Sequence, residues 1–127
     1  MPTDAFVIAR RSCCLIAAIA FATAGCKSET SKQIDQLDAS ISWIATVDAV
    51  ARSWTENRVP TRYAERTMEE ASSALHSAKQ TRAARIASEM ADVVRVRDRA
   101  EMDVHLEALR EEKSALKSRL EELKHAQ

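Results

Sequence analysis

The chain has 127 residues, and its 19 Lys plus Arg residues balance 19 Asp plus Glu residues, so the formal net charge is zero. A neutral chain has no basic excess to place on phosphates, which argues against nucleic-acid binding. With only one Gly and two Pro, the chain consists mostly of helix-forming residues. This composition predicts an all-α protein of one domain at most.

The first stretch has the parts of an export signal in order. Arg10 and Arg11 precede a short apolar run that extends from Cys13 to Gly25. The run is too short for a transmembrane helix, which needs roughly 20 apolar residues. It ends in Thr23-Ala24-Gly25-Cys26, which resembles the lipobox of bacterial lipoproteins, although Thr23 stands where the family usually has an aliphatic residue.

This resemblance implies that signal peptidase II removes residues 1–25 and that Cys26 becomes the lipidated N-terminus. It implies a diacylglycerol and palmitate-type acyl chains on Cys26, and two or three chains anchor a protein stably. In enteric bacteria an Asp after the lipidated Cys tends to retain the protein in the inner membrane. Lys27 therefore favours the outer membrane, with the domain facing the periplasm. The alternatives are an ordinary secretory signal, an uncleaved anchor or a twin-arginine signal.

The cysteines limit what the mature domain can contain. Cys13 and Cys14 lie in the signal and Cys26 is the lipid site, so no cysteine remains for a disulfide, a zinc site or haem attachment. Cleavage also removes two of the 19 basic and one of the 19 acidic residues, leaving 17 and 18. The mature domain is therefore nearly neutral and has to be held together by packing.

A first helix is predicted over residues 31–57, after a short lipidated tether over 26–30. Thr30 and Gln33 have the spacing of a capping box at its start. Its apolar residues recur every three or four positions, which is typical of one buried helix face. That face comprises Ile34, Leu37, Ile41, Ile44, Val47, Val50 and Trp54, and Trp43 widens it.

A turn is predicted over residues 58–60. Asn57 tolerates the left-handed conformation of a helix C-terminus. Val59 precedes Pro60 and is pushed out of the α region, while proline suits the start of the next helix. A short connection of this kind indicates an antiparallel helical hairpin. The segment 54–63 is similar to the turn of small uncharacterised helical envelope lipoproteins, which implies a fold and no function.

The second helix is predicted to run without interruption over residues 61–125, because no Gly or Pro breaks it. It would be about 95–100 Å long. Its first half presents mostly small residues, which we expect to lie against Trp43 and Trp54, and its apolar stripe slips in register around Arg82. These stripe residues are Ala64, Met68, Ala71, Leu75, Ala78, Ile86, Met90 and Val93. The alternative is a break near residues 94–99, which would give an up-down-up three-helix bundle.

The last part of the second helix has a coiled-coil-like heptad pattern with a lysine at one core position. Its positions are Met102, Leu106, Leu109, Lys113, Leu116, Leu120 and Leu123. Another helix has to cover this stripe, from a second copy, from an envelope protein partner, or from this chain folded back. The sequence therefore predicts a partner surface through Leu106, Leu109, Leu116, Leu120 and Leu123.

Catalysis, cofactors and metals are not predicted. Glu101 and His105 are four residues apart and could share a metal ion, but zinc needs further ligands that the sequence does not place. A zincin helix motif, a phosphate-binding glycine loop and a nucleophile elbow are all missing from the sequence.

Two functions remain, from different classes. The first is a membrane-anchored envelope lipoprotein with a structural, spacer or assembly role and no catalysis. The second is a periplasmic binding module, chaperone-like or an accessory subunit, that uses the apolar hairpin face for a client. Burial of the apolar stripes within one chain would favour the first, and a large exposed apolar patch would favour the second.

Overall fold

The computed structural model describes the backbone from Pro2 to Gln127 and the side chains from Glu29 onward. Its four helices are α1 (Pro2–Thr55), α2 (Thr61–Ser77), α3 (Thr81–Val96) and α4 (Arg99–His125). No strand occurs in this described part, so the predicted all-α class is confirmed. The chain divides into two compact units, Met1–Gln33 and Ile34–Gln127, and the second contains the bundle described below.

Ion pairs between helices define the topology of the second unit. Arg110 Nε of α4 lies 3.8 Å from a carboxylate oxygen of Asp48 in α1. Arg82 Nε near the start of α3 lies 3.3 Å from Glu112 in the middle of α4. Since α4 thus contacts both α1 and α3, and short connections join consecutive helices, the unit is an up-down-up-down four-helix bundle.

Small residues allow α2 and α3 to approach each other closely. The Ser72 hydroxyl of α2 donates a hydrogen bond of 2.8 Å to the carbonyl oxygen of Ala84 in α3. So short a side chain reaches a neighbouring helix backbone only when the two helix axes are close. The buried alanines of these two helices are Ala64, Ala71, Ala83, Ala84, Ala87 and Ala91.

The predicted apolar faces form the core of the bundle. Within α1, the buried members are Leu37, Ile44, Val47, Val50 and Trp54, while Ile34, Ile41 and Trp43 are half-buried against them. In α2 and α3, the buried stripe residues are Ala64, Met68, Ala71, Leu75, Ile86, Met90 and Val93. The periodicity therefore identified the buried side of each helix correctly.

The predicted start of the first helix is not observed. We expected a tether over residues 26–30 and a helix from Ser31, but α1 runs without a break from Pro2 to Thr55. Lys27 to Thr30 contains no Gly or Pro. Nothing in that segment opposes helix formation, so the capping-box spacing alone does not start a new helix there.

The predicted hairpin turn is confirmed, with the helix ending two residues earlier than expected. Asn57 has a φ of 61°, which is the left-handed conformation. The N–H of Arg58 donates to the carbonyl oxygen of Ser53 at 2.7 Å, and the N–H of Asn57 donates to that of Trp54 at 3.0 Å. This bond pattern is the Schellman motif, which satisfies the last carbonyls of α1.

The predicted continuous helix over 61–125 is wrong, because the structure breaks it twice. Lys79 and Arg97 adopt the left-handed conformation, with φ of 62° and 58°. The first break closes with a Schellman bond of 2.8 Å from the N–H of Gln80 to the carbonyl oxygen of Leu75. A left-handed residue other than glycine costs about 1–2 kcal/mol. Folding back buries the apolar stripes of three helices and outweighs that cost.

The second break lies within the interval of the three-helix alternative. Asp98 accepts a hydrogen bond of 3.1 Å from the N–H of Glu101 and so caps the start of α4. The additional break at Lys79 gives four helices, so the three-helix bundle is also incorrect. The α1–α2 and α3–α4 connections lie at the same end of the bundle, which we call the two-turn end.

We predict that Lys79→Gly stabilises the bundle. Glycine removes the left-handed penalty of about 1–2 kcal/mol but loses about 0.5–1 kcal/mol more conformational entropy on folding. The expected net gain is therefore up to about 1.5 kcal/mol, measured by urea unfolding. Lys79→Ala, which keeps a β-carbon, serves as the control and should not produce this gain. An equal gain for both variants would contradict the assignment of strain to Lys79.

Candidate functional site

The predicted lipidation site lies outside the side chains that the structure describes. Cys26 lies within α1, where the structure describes the backbone alone. The described side chains begin at Glu29. Lipidation of Cys26 therefore stays a prediction.

The predicted partner surface is covered by this chain itself. Leu106, Leu109, Leu116 and Leu120 are buried, and Leu123 is half-buried against the same core. The leucine stripe could be covered by a second copy, by a partner or by this chain folded back. In the structure, other helices of the same chain cover it. These leucines are thus packed within the bundle of this chain. A partner through them stays a prediction.

Trp54 is the central side chain of the two-turn end. It is 1% exposed, and its Nε1–H donates a hydrogen bond of 3.1 Å to the Thr61 hydroxyl at the start of α2. The Arg99 guanidinium of α4 lies 5.2 Å from the centre of its ring, and also donates to the Asn57 side chain. A cation over an indole face is a favourable contact. Trp54 thus joins the first and last connections of the bundle.

Trp43 differs from Trp54, although we expected both to lie against Met68, Ala71 and Leu75. Trp43 is half-buried and lines an open surface groove together with residues of α2. The α2 residues of that groove are Arg66, Glu69, Glu70 and Ser73. Trp43 therefore lies at the edge of the core and packs against it.

The Glu101–His105 pair has a third neighbour that the sequence did not reveal. His105 Nδ1 lies 3.7 Å from Glu89 of α3, and its Nε2 lies 3.9 Å from Glu101. The two ring nitrogens point in opposite directions, so a single metal ion cannot bind His105 and both carboxylates. Among the described residues, no group of three or more potential ligands is placed to hold a metal ion.

Arg95 is the centre of a charged cluster that includes three carboxylates. It contacts Glu65 at 2.8 Å and Glu69 at 3.0 Å, both in α2, and Asp92 at 2.9 Å in its own helix. The hydrogen bond to Glu65, followed by attraction to the same carboxylate, raises the pKa of Arg95 above its ordinary value. The cluster links α2 to α3 at the surface of the bundle.

No family model, curated protein or solved structure matches this chain. Along the described part of the chain, no helix combines the length and the apolarity needed to cross a bilayer. Function therefore has to be inferred from the sequence motif and from the geometry of the bundle.

Proposed function

We propose that this chain is a lipid-anchored four-helix bundle of the bacterial cell envelope, with a structural or assembly role and no catalysis. In this proposal Cys26 takes the lipid, and the bundle is the part that the anchor holds at the membrane. Lys27 after the lipid site favours placement in the outer membrane, facing the periplasm.

The observation that most supports the proposal is the order of features along the chain. An apolar segment closes with Ala24-Gly25-Cys26, and the compact unit begins only a few residues later at Ile34. The unit buries its own apolar stripes, including the leucines of α4. A domain of this kind can fold without a partner while the lipid supplies the attachment to the membrane.

The alternative of a client-binding hairpin face has less support. Its central residues Trp54, Met68 and Leu75 are at most 1% exposed. A chaperone-like surface would need a persistent exposed apolar patch of several hundred Å². Among the described residues, three large apolar side chains are exposed, and none of the three belongs to the hairpin face.

Lipid attachment is tested by labelling the full chain in a bacterium with an alkyne analogue of palmitate. We expect the wild type to take up the label and to lose residues 1–25, and Cys26→Ser to remain unlabelled and uncleaved. Cys14→Ser is the matched control, because it removes a cysteine from the same signal segment and should label like the wild type. A labelled Cys26→Ser protein, or an unlabelled wild type, would refute the proposal.

A further inference from the structure

The connection between α3 and α4 contains no residue that prevents the two helices from joining into one. Only Arg97 and Asp98 lie between them, and neither Gly nor Pro occurs anywhere after Pro60. The α1–α2 connection differs, because Pro60 would interrupt a helix that ran through it. A single helix formed by α3 and α4 together would be about 68 Å long.

The bonds that hold the α3–α4 turn would be replaced if the turn straightened. The N–H of Arg97 donates to the carbonyl oxygen of Val94 at 3.1 Å, and the N–H of Asp98 donates to that of Val93 at 3.2 Å. In a continuous helix the same two donors bond to the carbonyl oxygens four residues back. Straightening also removes the left-handed φ of 58° at Arg97. The interaction that is lost is the cap that Asp98 provides to α4.

The α3–α4 turn also contributes no side chain to the core. Val96, Arg97, Asp98 and Arg99 are all exposed. The core contacts that opening would break are therefore those of α4 itself, which include the buried leucines. The α4 of a second copy has the same sequence and can restore each of these contacts.

The α2–α3 connection is less suited to opening. Ala78 and Gln80 in this turn are half-buried. The Ser72 hydroxyl binds the Ala84 carbonyl oxygen across the two helices at 2.8 Å. Arg95 joins the same two helices through two carboxylates at 2.8 and 3.0 Å. We therefore expect α2 and α3 to stay together when the bundle opens.

The contact between α1 and α4 is less complete. Arg110 Nε lies 3.8 Å from Asp48 Oδ1. That oxygen is buried and has no hydrogen-bond partner among the described residues. A buried acceptor without a partner destabilises the packed state. The separation of α4 from α1 is therefore favoured over the separation of α2 from α3.

We propose that two copies of this chain exchange α4, which gives a domain-swapped dimer in which α3 and α4 form one helix. Each α4 then packs on α1 and α3 of the other copy, through the same leucines as in the closed chain. Short connections under strain favour exchange of this kind. The closed chain is the form at low concentration, and the share of dimer grows with concentration. The exchange goes beyond the proposed function and does not depend on lipidation.

Two cysteines and a short bis-maleimide test the exchange in the full chain. Arg82→Cys on α3 and Glu112→Cys on α4 replace an ion pair of 3.3 Å, and serine replaces Cys13, Cys14 and Cys26 so that no other cysteine reacts. The reagent links the two positions within one chain in the closed form and between two chains in the swapped dimer. A dimer formed through other surfaces keeps the link within each chain. We expect a covalent dimer on a denaturing gel, with a share that rises with protein concentration in detergent solution.

Two substitutions in the α3–α4 turn should move the exchange in opposite directions. Arg97→Gly favours the closed turn and disfavours a continuous helix, so it should lower the dimerisation constant about tenfold or more. Asp98→Ala removes the cap of α4 and should raise that constant about tenfold. Lys79→Gly is the matched control, because it makes the same kind of change in the α2–α3 turn. It should leave the exchange of α4 unchanged.

The chains with one cysteine, Arg82→Cys or Glu112→Cys alone, show whether random collisions produce the covalent dimer, and they should give none. The inference is overturned if the chain with both cysteines gives no covalent dimer at its highest soluble concentration. It is also overturned if one cysteine gives as much dimer as two, or if Arg97→Gly and Lys79→Gly change the dimer share equally.

Discussion

Trp54→Ala is expected to lower the free energy of unfolding by about 3–5 kcal/mol, the usual cost of removing a buried aromatic side chain. The indole is 1% exposed, and its removal would leave a cavity where α1, α2 and α4 meet. The substitution also removes the hydrogen bond to Thr61 and the ring beneath the Arg99 guanidinium. Both connections of the two-turn end lose a contact at once.

Urea unfolding followed by far-ultraviolet circular dichroism measures this loss without relying on tryptophan fluorescence. Trp54→Phe keeps an aromatic ring but removes the N–H donor to Thr61, so it should cost clearly less than Trp54→Ala. Trp43→Ala is the matched tryptophan control at the edge of the core. If Trp43→Ala cost as much as Trp54→Ala, the assignment of Trp54 as the central contact would be wrong.

Leu109→Ala is expected to lower the free energy of unfolding by about 2–5 kcal/mol. Leu109 is 0% exposed in the middle of α4, whereas Leu123 near its end is half-buried. Leu123→Ala removes the same atoms from a less enclosed site and should cost distinctly less. The comparison tests whether the cost of each substitution follows the burial of that leucine within this chain.

The dependence of unfolding on protein concentration provides the second part of this test. When a stripe is buried between two copies, the unfolding midpoint rises with protein concentration. We expect residues 26–127 with Cys26→Ser to have the same midpoint at micromolar and at tenfold higher concentration. A midpoint that rises with concentration, with equal losses at Leu109 and Leu123, would show that a second copy covers the stripe.

The buried face of every helix was predictable, whereas the number of helices was not. Ile44, Val47 and Trp54 recur at helical spacing, and burial follows from that spacing whatever the helix packs against. Helix ends depend on single backbone positions. Lys79 and Arg97 take conformations that favour glycine, so the residue type gives no sign of a turn.

Two weaker signals marked the breaks. The apolar stripe slips in register around Arg82, just after the first break, because α2 and α3 are separate helices with separate faces. Asp98 and Glu101 have the spacing of an N-terminal cap, and the structure uses Asp98 in this way. A capping spacing without a nearby glycine or proline does not by itself predict a helix start. The spacing of Thr30 and Gln33 lies within the unbroken helix α1.

The candidate site was predictable only where it depends on a local motif. The run that ends at Cys26 and resembles a lipobox is continuous in sequence, so the resemblance can be seen without the fold. The two-turn end combines Trp54 and Thr61 with Arg99, which is distant along the chain. Periodicity also showed that the α4 leucines are buried, but it could not say which copy of the chain covers them.

The pairing of the first helix with the last has a consequence for the order of folding during synthesis. A chain is synthesised from its N-terminus, so the buried face of α1, including Ile44 and Val47, lacks its α4 cover until Arg99–His125 has been made. The α2–α3 pair is local and can form quickly, whereas the α1–α4 pair has the highest contact order in the bundle. The bundle core therefore stays incomplete until the last helix, of 27 residues, has been added.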